Sequence, residues 1–232
     1  SMSATIDNLQ KLASHEGFNK KFESYIEQVK TYFNKSIGQL ETQLCPQESL
    51  FGPSAFMQFI HEVQLYETKA DVSLTAPLQL HYCIDTGNIY RKDVFALYRF
   101  ENYLATLNMT VEEIDAYLEY AIKGWFNTMK KPTDPLLQYR ENNKLANPYY
   151  NFSTVEGIDY TIDVTAPIGQ KVTITRIGEH KEFNPEDTLR VAINSYRMVG
   201  GGGHLPQGVN IHRTDLAKRK VTLSKQPIKS II

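Results

Sequence analysis

The chain has 232 residues, 41% of them hydrophobic and 22% charged, with 25 Lys and Arg against 26 Asp and Glu for a formal net charge of −1. That balance leaves no basic footprint for nucleic acid, and no apolar run is long enough to span a bilayer. The opening SMSATIDNLQKL lacks the charged-then-apolar layout of a secretory signal, and Ser1 ahead of Met2 reads as a cloning remnant, with natural polypeptide expected upstream.

Residues 5–42 read as a helix, because Leu9, Leu12, Phe18, Phe22, Ile26, Val29, Phe33, Ile37 and Leu40 recur three to four apart with Lys and Glu between them. Gly17 is a place where that helix could split. Residues 1–45 are accordingly assigned to a leading helix and 46–232 to the domain proper. Cys45 and Cys83 stand without CxxC spacing, so buried thiols and a single disulfide both remain open. Ser54 suits the N-cap of a helix over 55–66. His61 and Glu62 adjoin on it, but no second histidine completes HExxH, and His61 is expected to be solvated.

Residues 70–76 read as a short strand ended by Pro77, with Asp85–Asn88 as a turn. A helical turn and then an extended piece are expected over 91–100, a strand over 102–107, and a helix to about Phe126 behind the capping box of Thr110 and Glu113. Residues 131–151, rich in Pro, Asn and Tyr, form a long irregular insertion of the kind that tends to carry function. Alternation then predicts strands around Tyr160–Val164, Val172–Ile177, Leu189–Ile193 and Lys220–Leu223. Helices dominate the first half and strands the second, which predicts an α+β fold with a mixed sheet.

The chemistry is concentrated in LRVAINSYRMVGGGGH at 189–204, where a half-buried strand runs into Asn194–Ser195–Tyr196 and then Gly200–Gly203. Glycines let the backbone take positive φ and approach a ligand closely. Tyr196 over a glycine-lined floor would suit a planar, phosphorylated ligand; a hairpin whose tyrosine merely packs is the other reading, since no P-loop lysine accompanies the glycines. His204 follows them, placed either to touch a bound anion or to stand exposed without contact. The other histidines (15, 61, 81, 180, 212) show no recurrent ligand spacing, and His180 in GEHKE reads as solvated. No G-x-S-x-G elbow occurs. Two aromatic–asparagine clusters, Tyr98–Asn102 and Asn194–Arg197, could each stack a base and bond its edge, at about 1–3 kcal/mol per stacked base.

The ordered series ADVSLTAP at 70–77, RKDVFALYRFEN at 91–102, MTVEEIDAYLEYA at 109–121, VEGIDYTIDVTAPIG at 155–169 and LRVAINSYRMVGGGG at 189–203 resembles the C-terminal domain of the 5′-nucleotidase family over about residues 50–225. That family includes UDP-sugar hydrolases and 2′,3′-cyclic-nucleotide 2′-phosphodiesterase/3′-nucleotidases. The resemblance implies that this domain grips the nucleobase between two rings, while an N-terminal metallophosphoesterase domain of the same polypeptide carries two divalent metals. One family ring precedes an asparagine by two positions, as Phe100 precedes Asn102. The other precedes a glycine pair by four, as Tyr196 precedes Gly200 and Gly201. Arg197 and His204 complete the expected substrate-binding set. Tyr196 stands where many nucleotidases have Phe, Gly202 stands where they have an acid, and TAP at 75–77 leans toward the cyclic-phosphodiesterase branch.

The metal motifs D-x-H, G-N-H-[DE] and G-H-x-H are missing from this sequence, so it is expected to hold no cofactor and to be inactive alone. The resemblance implies a substrate-specificity domain that positions a nucleoside or nucleotide for metal-activated water in nucleotide catabolism. It also implies a periplasmic, extracellular or cell-surface location. A freestanding nucleotide-binding module is the alternative, and a self-sufficient enzyme built on His204 and Arg197 a more distant one.

Overall fold

The chain fits its β-rich second half around the alternating stretch at 188–194, and the computed structural model, which describes residues 16–232, places that stretch at the centre of a sheet. Strand β8 (Thr188–Asn194) lies between β2 (Val72–Thr75), which it meets in parallel, and β4 (Tyr103–Thr110), which it meets antiparallel. Strands β5 (Thr154–Glu156) and β9 (Lys220–Pro227) close the two edges, giving the order β5-β2-β8-β4-β9. The mixed sheet and α+β class expected from the sequence are what the structure has. Two antiparallel strand pairs stand apart from the sheet: β1 (Ser36–Leu40) with β3 (Gly87–Tyr90), and β6 (Ile158–Ile162) with β7 (Val172–Ile177).

Successive residues of a strand face opposite sides, and here the two sides belong to two cores. Val191 and Ile193 join Ala105, Leu107 and Met109 under helix α4 (Val111–Lys123), which adds Ile114, Tyr117, Leu118 and Ile122. Ala192 and Leu104 face the other way, onto Phe56, Met57 and Ile60 of helix α2 (Ala55–Thr68) and Leu97 of helix α3 (Arg91–Leu97). A strand covered on both faces needs apolar side chains on both, and residues 191–194 are all buried. Both helices begin where capping chemistry predicts. Ser54 Oγ accepts from Met57 N at 3.2 Å. Thr110 Oγ1 accepts from Glu113 N at 3.2 Å, while Glu113 Oε2 accepts from Thr110 N at 3.0 Å.

Two expectations are corrected. The leading helix is α1 (Glu16–Phe33), which stops short of 42; Ser36–Leu40 form β1 and pair with β3 instead. Ile37 and Leu40 fitted the helical period, but pairing with β3 supplies backbone partners that periodicity cannot foresee. Residues 5–15 of the predicted helix lie outside the described residues. His61 is buried at 2% exposure rather than solvated. Its Nδ1 lies 2.9 Å from Ser73 Oγ and its Nε2 3.0 Å from Thr154 Oγ1, tying α2 to β2 and β5. Burial pulls the ring's pKa down to about 3, so it is neutral. His180 is exposed, as expected.

The two cysteines form a disulfide, Cys45–Cys83. Leu44 and Ile84 exchange both backbone hydrogen bonds, at 2.9 and 3.0 Å, so the next pair outward is Cys45 opposite Cys83. Antiparallel geometry brings such a pair about 4.5 Å apart at Cα, and the observed Cα–Cα separation is 4.4 Å.

Candidate functional site

Register gathers the residues that the sequence singled out. Because Leu104 faces Asn194 across the β4/β8 ladder, Phe100 and Asn102, just ahead of β4, arrive beside the end of β8. Parallel pairing of Ser73 with Ala192 carries the following Thr75 and Ala76 to the same end of the sheet. Asn194 then stops the strand by capping helix α5 (Ser195–Met198), its Oδ1 accepting from Arg197 N at 2.9 Å. Ser195 Oγ accepts from Tyr103 N at 3.0 Å and ties α5 to β4.

These elements enclose a cavity of about 320 Å³ lined by Thr75, Ala76, Leu78, Phe100, Asn102, Tyr150, Asn194, Tyr196 and Arg197. Phe100 and Tyr196, 40% and 50% exposed, present ring surface to solvent, while Thr75, Ala76, Leu78 and Asn194 are buried. A guanidinium accompanies each exposed ring: Arg99 lies 5.5 Å from the Phe100 centroid and Arg197 lies 5.6 Å from that of Tyr196. Asn102 Nδ2 donates to Tyr98 Oη at 3.4 Å. Burial pushes the Tyr98 phenol up to about 12, so that partner is uncharged. The cavity thus combines two flat apolar faces, two asparagine amides and one cation, equipment for a planar heterocycle with a polar edge.

Arg197 is a strut of this site. Only 4% exposed, it donates from Nη1 to Gly201 O at 3.0 Å and from Nη2 to Tyr150 O at 2.5 Å and Asn151 Oδ1 at 3.3 Å. The long insertion expected to carry function is therefore pinned to α5, and Tyr150 is brought into the lining by that bond.

The glycines work differently from an anion cradle. A Cβ on Gly201 would stand 2.5 to 2.6 Å from three atoms of the Tyr196 ring, so that ring already lies on Gly201. Gly202, at φ +70°, has the Arg197 guanidinium where a side chain would go. Gly201 and Gly202 are a close-packed backing for the ring and the arginine, Gly200 packs against Arg213 and Pro206, and neither Gly200 nor Gly201 lines the cavity.

His204, expected either to touch a bound anion or to stand exposed without contact, is buried at 1% among Tyr117, Tyr120 and backbone carbonyls. Its Nε2 lies 2.9 Å from Asn151 O and its Nδ1 lies 3.2 Å from Gly202 O. Burial first, and the Arg197 charge second, pull its pKa down to about 3. A neutral imidazole has one N–H, and the shorter contact assigns it to Asn151 O. His204 therefore braces the insertion and does not line the cavity. Asn194 lines the cavity as a member of the second aromatic–asparagine cluster, whereas Tyr150, Thr75 and Leu78 were not singled out as ligand contacts. Nothing local signals that Tyr150 returns to this end of the sheet.

Known proteins resemble the chain on both sequence and fold. The family model described as the 5′-nucleotidase C-terminal domain matches residues 36–207. The trifunctional nucleotide phosphoesterase protein YfkN of Bacillus subtilis is 30% identical over 155 residues, which make up 60% of this chain and 10% of that protein. Among solved structures, a candidate 5′-nucleotidase from Staphylococcus aureus superposes with a TM-score of 0.72 at 20% identity, covering 97% of this chain and 41% of that one. A 5′-nucleotidase precursor from Thermus thermophilus gives 0.67 at 20% identity, over 94% and 40%. The NAD nucleotidase of Haemophilus influenzae gives 0.61 at 17%, over 95% and 38%. The chain spans a tenth of its curated relative and about two-fifths of these structures.

Proposed function

Because the chain belongs to the family of 5′-nucleotidase C-terminal domains, we propose that it is the substrate-specificity domain of a two-domain, metal-dependent phosphoester hydrolase and holds the nucleoside part of a nucleotide between Phe100 and Tyr196. The observation that carries this reading is the one cavity in which both rings, Asn102 and Asn194 converge. A base stacked there would have its edge toward the asparagines, with Arg197 keeping the Tyr150 wall in place. The name of the Bacillus relative, a nucleotide phosphoesterase, supports nucleotides as the substrate class.

Among the described residues no group of three or more His, Cys, Asp or Glu could hold a metal ion. These residues do not fit the two metals that the family implies, so no hydrolytic step is assigned to this chain. The metals would belong to an N-terminal catalytic domain of the same polypeptide. No described helix is long and apolar enough to cross a membrane. The disulfide supports an oxidising compartment, the periplasm or the cell surface.

NMR titration with adenosine and AMP tests the reading. Two stacking faces, less the cost of immobilising the ligand, leave affinities near the millimolar range for both ligands. Tyr196→Ala and Phe100→Ala should each weaken both, and Asn102→Ala should weaken them by about 0.5–1.5 kcal/mol. Adenosine shifts that map away from the cavity, or that survive loss of both rings, would overturn it.

A further inference from the structure

The amides of the aromatic cavity are held from behind its wall by a residue that does not line it. Tyr98 is the C-cap of α3 and lies in the core under α2 with Leu97, Leu104 and Ala192, fully buried. A phenylalanine would pack there as well, and a buried hydroxyl is costly unless it is bonded. The partners of this hydroxyl are the two asparagines of the cavity. Asn102 Nδ2 donates to Tyr98 Oη at 3.4 Å, and Asn194 acts on the same oxygen as a second side-chain hydrogen-bond partner. Burial raises the pKa of the phenol and both asparagines oppose it, which is the effect of N–H groups directed at the oxygen.

An asparagine amide can turn either its NH2 or its carbonyl to a ligand, and its surroundings decide which. Asn194 is fixed by the cap of α5: its Oδ1 accepts from Arg197 N at 2.9 Å, which leaves Nδ2 for Tyr98. Asn102 has no such cap. With Nδ2 held by Tyr98, its Oδ1 is left without a hydrogen bond among the described residues, on a side chain that lines the cavity. Arg197 does not take over the base edge, because its Nη1 and Nη2 are committed to Gly201 O, Tyr150 O and Asn151 Oδ1. The edge of a stacked base therefore meets an acceptor.

An acceptor oxygen calls for an N–H on the ligand. An exocyclic amino group suits it best, since it stands one bond out from the ring and carries two hydrogens. A ring N–H beside a carbonyl brings a second oxygen toward Oδ1, and a C–H forms no comparable bond. Resting on the stacking site proposed above, we propose that Tyr98 is a positioning residue: its hydroxyl holds the Asn102 amide with Oδ1 toward the ligand, so that the cavity selects nucleotides whose base carries an exocyclic amino group.

Amide NMR titration of the full 232-residue chain with adenosine, purine riboside and inosine tests the assignment. Purine riboside has hydrogen in place of the amino group, so its affinity reports stacking without that bond. Adenosine should bind about threefold to tenfold more tightly than purine riboside, and inosine more weakly than adenosine. In Tyr98→Phe the adenosine affinity should fall to that of purine riboside, whose own affinity should hold. The side-chain amide resonances of Asn102 and Asn194 should also move in that variant before any ligand is added. A merely structural loss would weaken both ligands alike. Asn102→Ala should erase the same preference and provides the reading should Tyr98→Phe fold poorly. Equal binding of adenosine and purine riboside by the parent chain, with both lost in Phe100→Ala, would overturn the positioning role and leave the stacking site standing. A preference for adenosine that survives Tyr98→Phe would overturn it too. Shifts that avoid the cavity for every nucleoside would overturn the stacking reading itself, and this inference with it.

Discussion

Gly202 shows how far a single residue carries the site. Its φ of +70° is a conformation that L side chains rarely adopt, and the place of its missing Cβ is taken by Arg197. Gly202→Ala should therefore strain the backbone and dislodge the guanidinium that holds Tyr150 O and Asn151 Oδ1. A loss of about 1–3 kcal/mol in urea unfolding is expected, with weaker adenosine binding through the displaced Tyr150 wall. Unchanged stability and binding would count against the strut role of Arg197. The residues Phe100, Asn102, Tyr196 and Arg197 were legible because a ring, an amide and a guanidinium lie close together in each cluster. The roles of the glycines and of His204 were not. Polyglycine next to a histidine looks the same in sequence whether an anion or a tyrosine ring fills the space.

At the scale of elements, the strap made by the Leu44/Ile84 bridge and the Cys45–Cys83 disulfide connects β1 and β3 to the cavity wall. Ala76 and Leu78 line the cavity a few residues before Cys83, and Gln79 shapes the intervening loop by accepting from His81 N and Tyr82 N at 2.7 and 2.8 Å. The bond closes a sequence separation of 38 residues. In the chain-entropy account, loss of such a crosslink removes about 3–4 kcal/mol. Cys45→Ala with Cys83→Ala should lower the urea midpoint accordingly and loosen adenosine binding; a variant matching the parent in both would show that the loop holds its shape unaided. The helices over Ala55–Thr68 and Val111–Lys123 were legible because caps and apolar period agreed. Ser36–Leu40 was misread because its partner strand is far away in sequence.

For the molecule as a whole, two buried histidines set the response to acid. His61 and His204 both have folded pKa values near 3 against an ordinary 6.5. Between those values the unfolded chain binds more protons than the native one, so their contribution is complete above about pH 6.5 and lost as pH falls toward 3. Each histidine adds a slope of up to about 1.4 kcal/mol per pH unit in that window. Asp115 works in the opposite sense between 3.8 and about 6, but it is only half-buried and offsets part of the effect. Urea unfolding at pH 7, 5.5 and 4.5 should show falling stability, with a shallower fall in His204→Gln. A flat profile would mean that neither ring is held neutral.

The sequence by itself determined the α+β class, most element positions and the residues whose chemistry suits a base, because period, caps and side-chain type are local properties of the chain. Tertiary structure alone decided that Phe100 and Tyr196 share a cavity, through the pairing of Leu104 with Asn194. It alone brought Tyr150 to them, buried His61 and His204, and placed Cys45 opposite Cys83 so that they join in a disulfide. Each of these depends on contacts between segments distant in sequence, and burial is a property of what packs over a side chain, which its immediate neighbours do not specify.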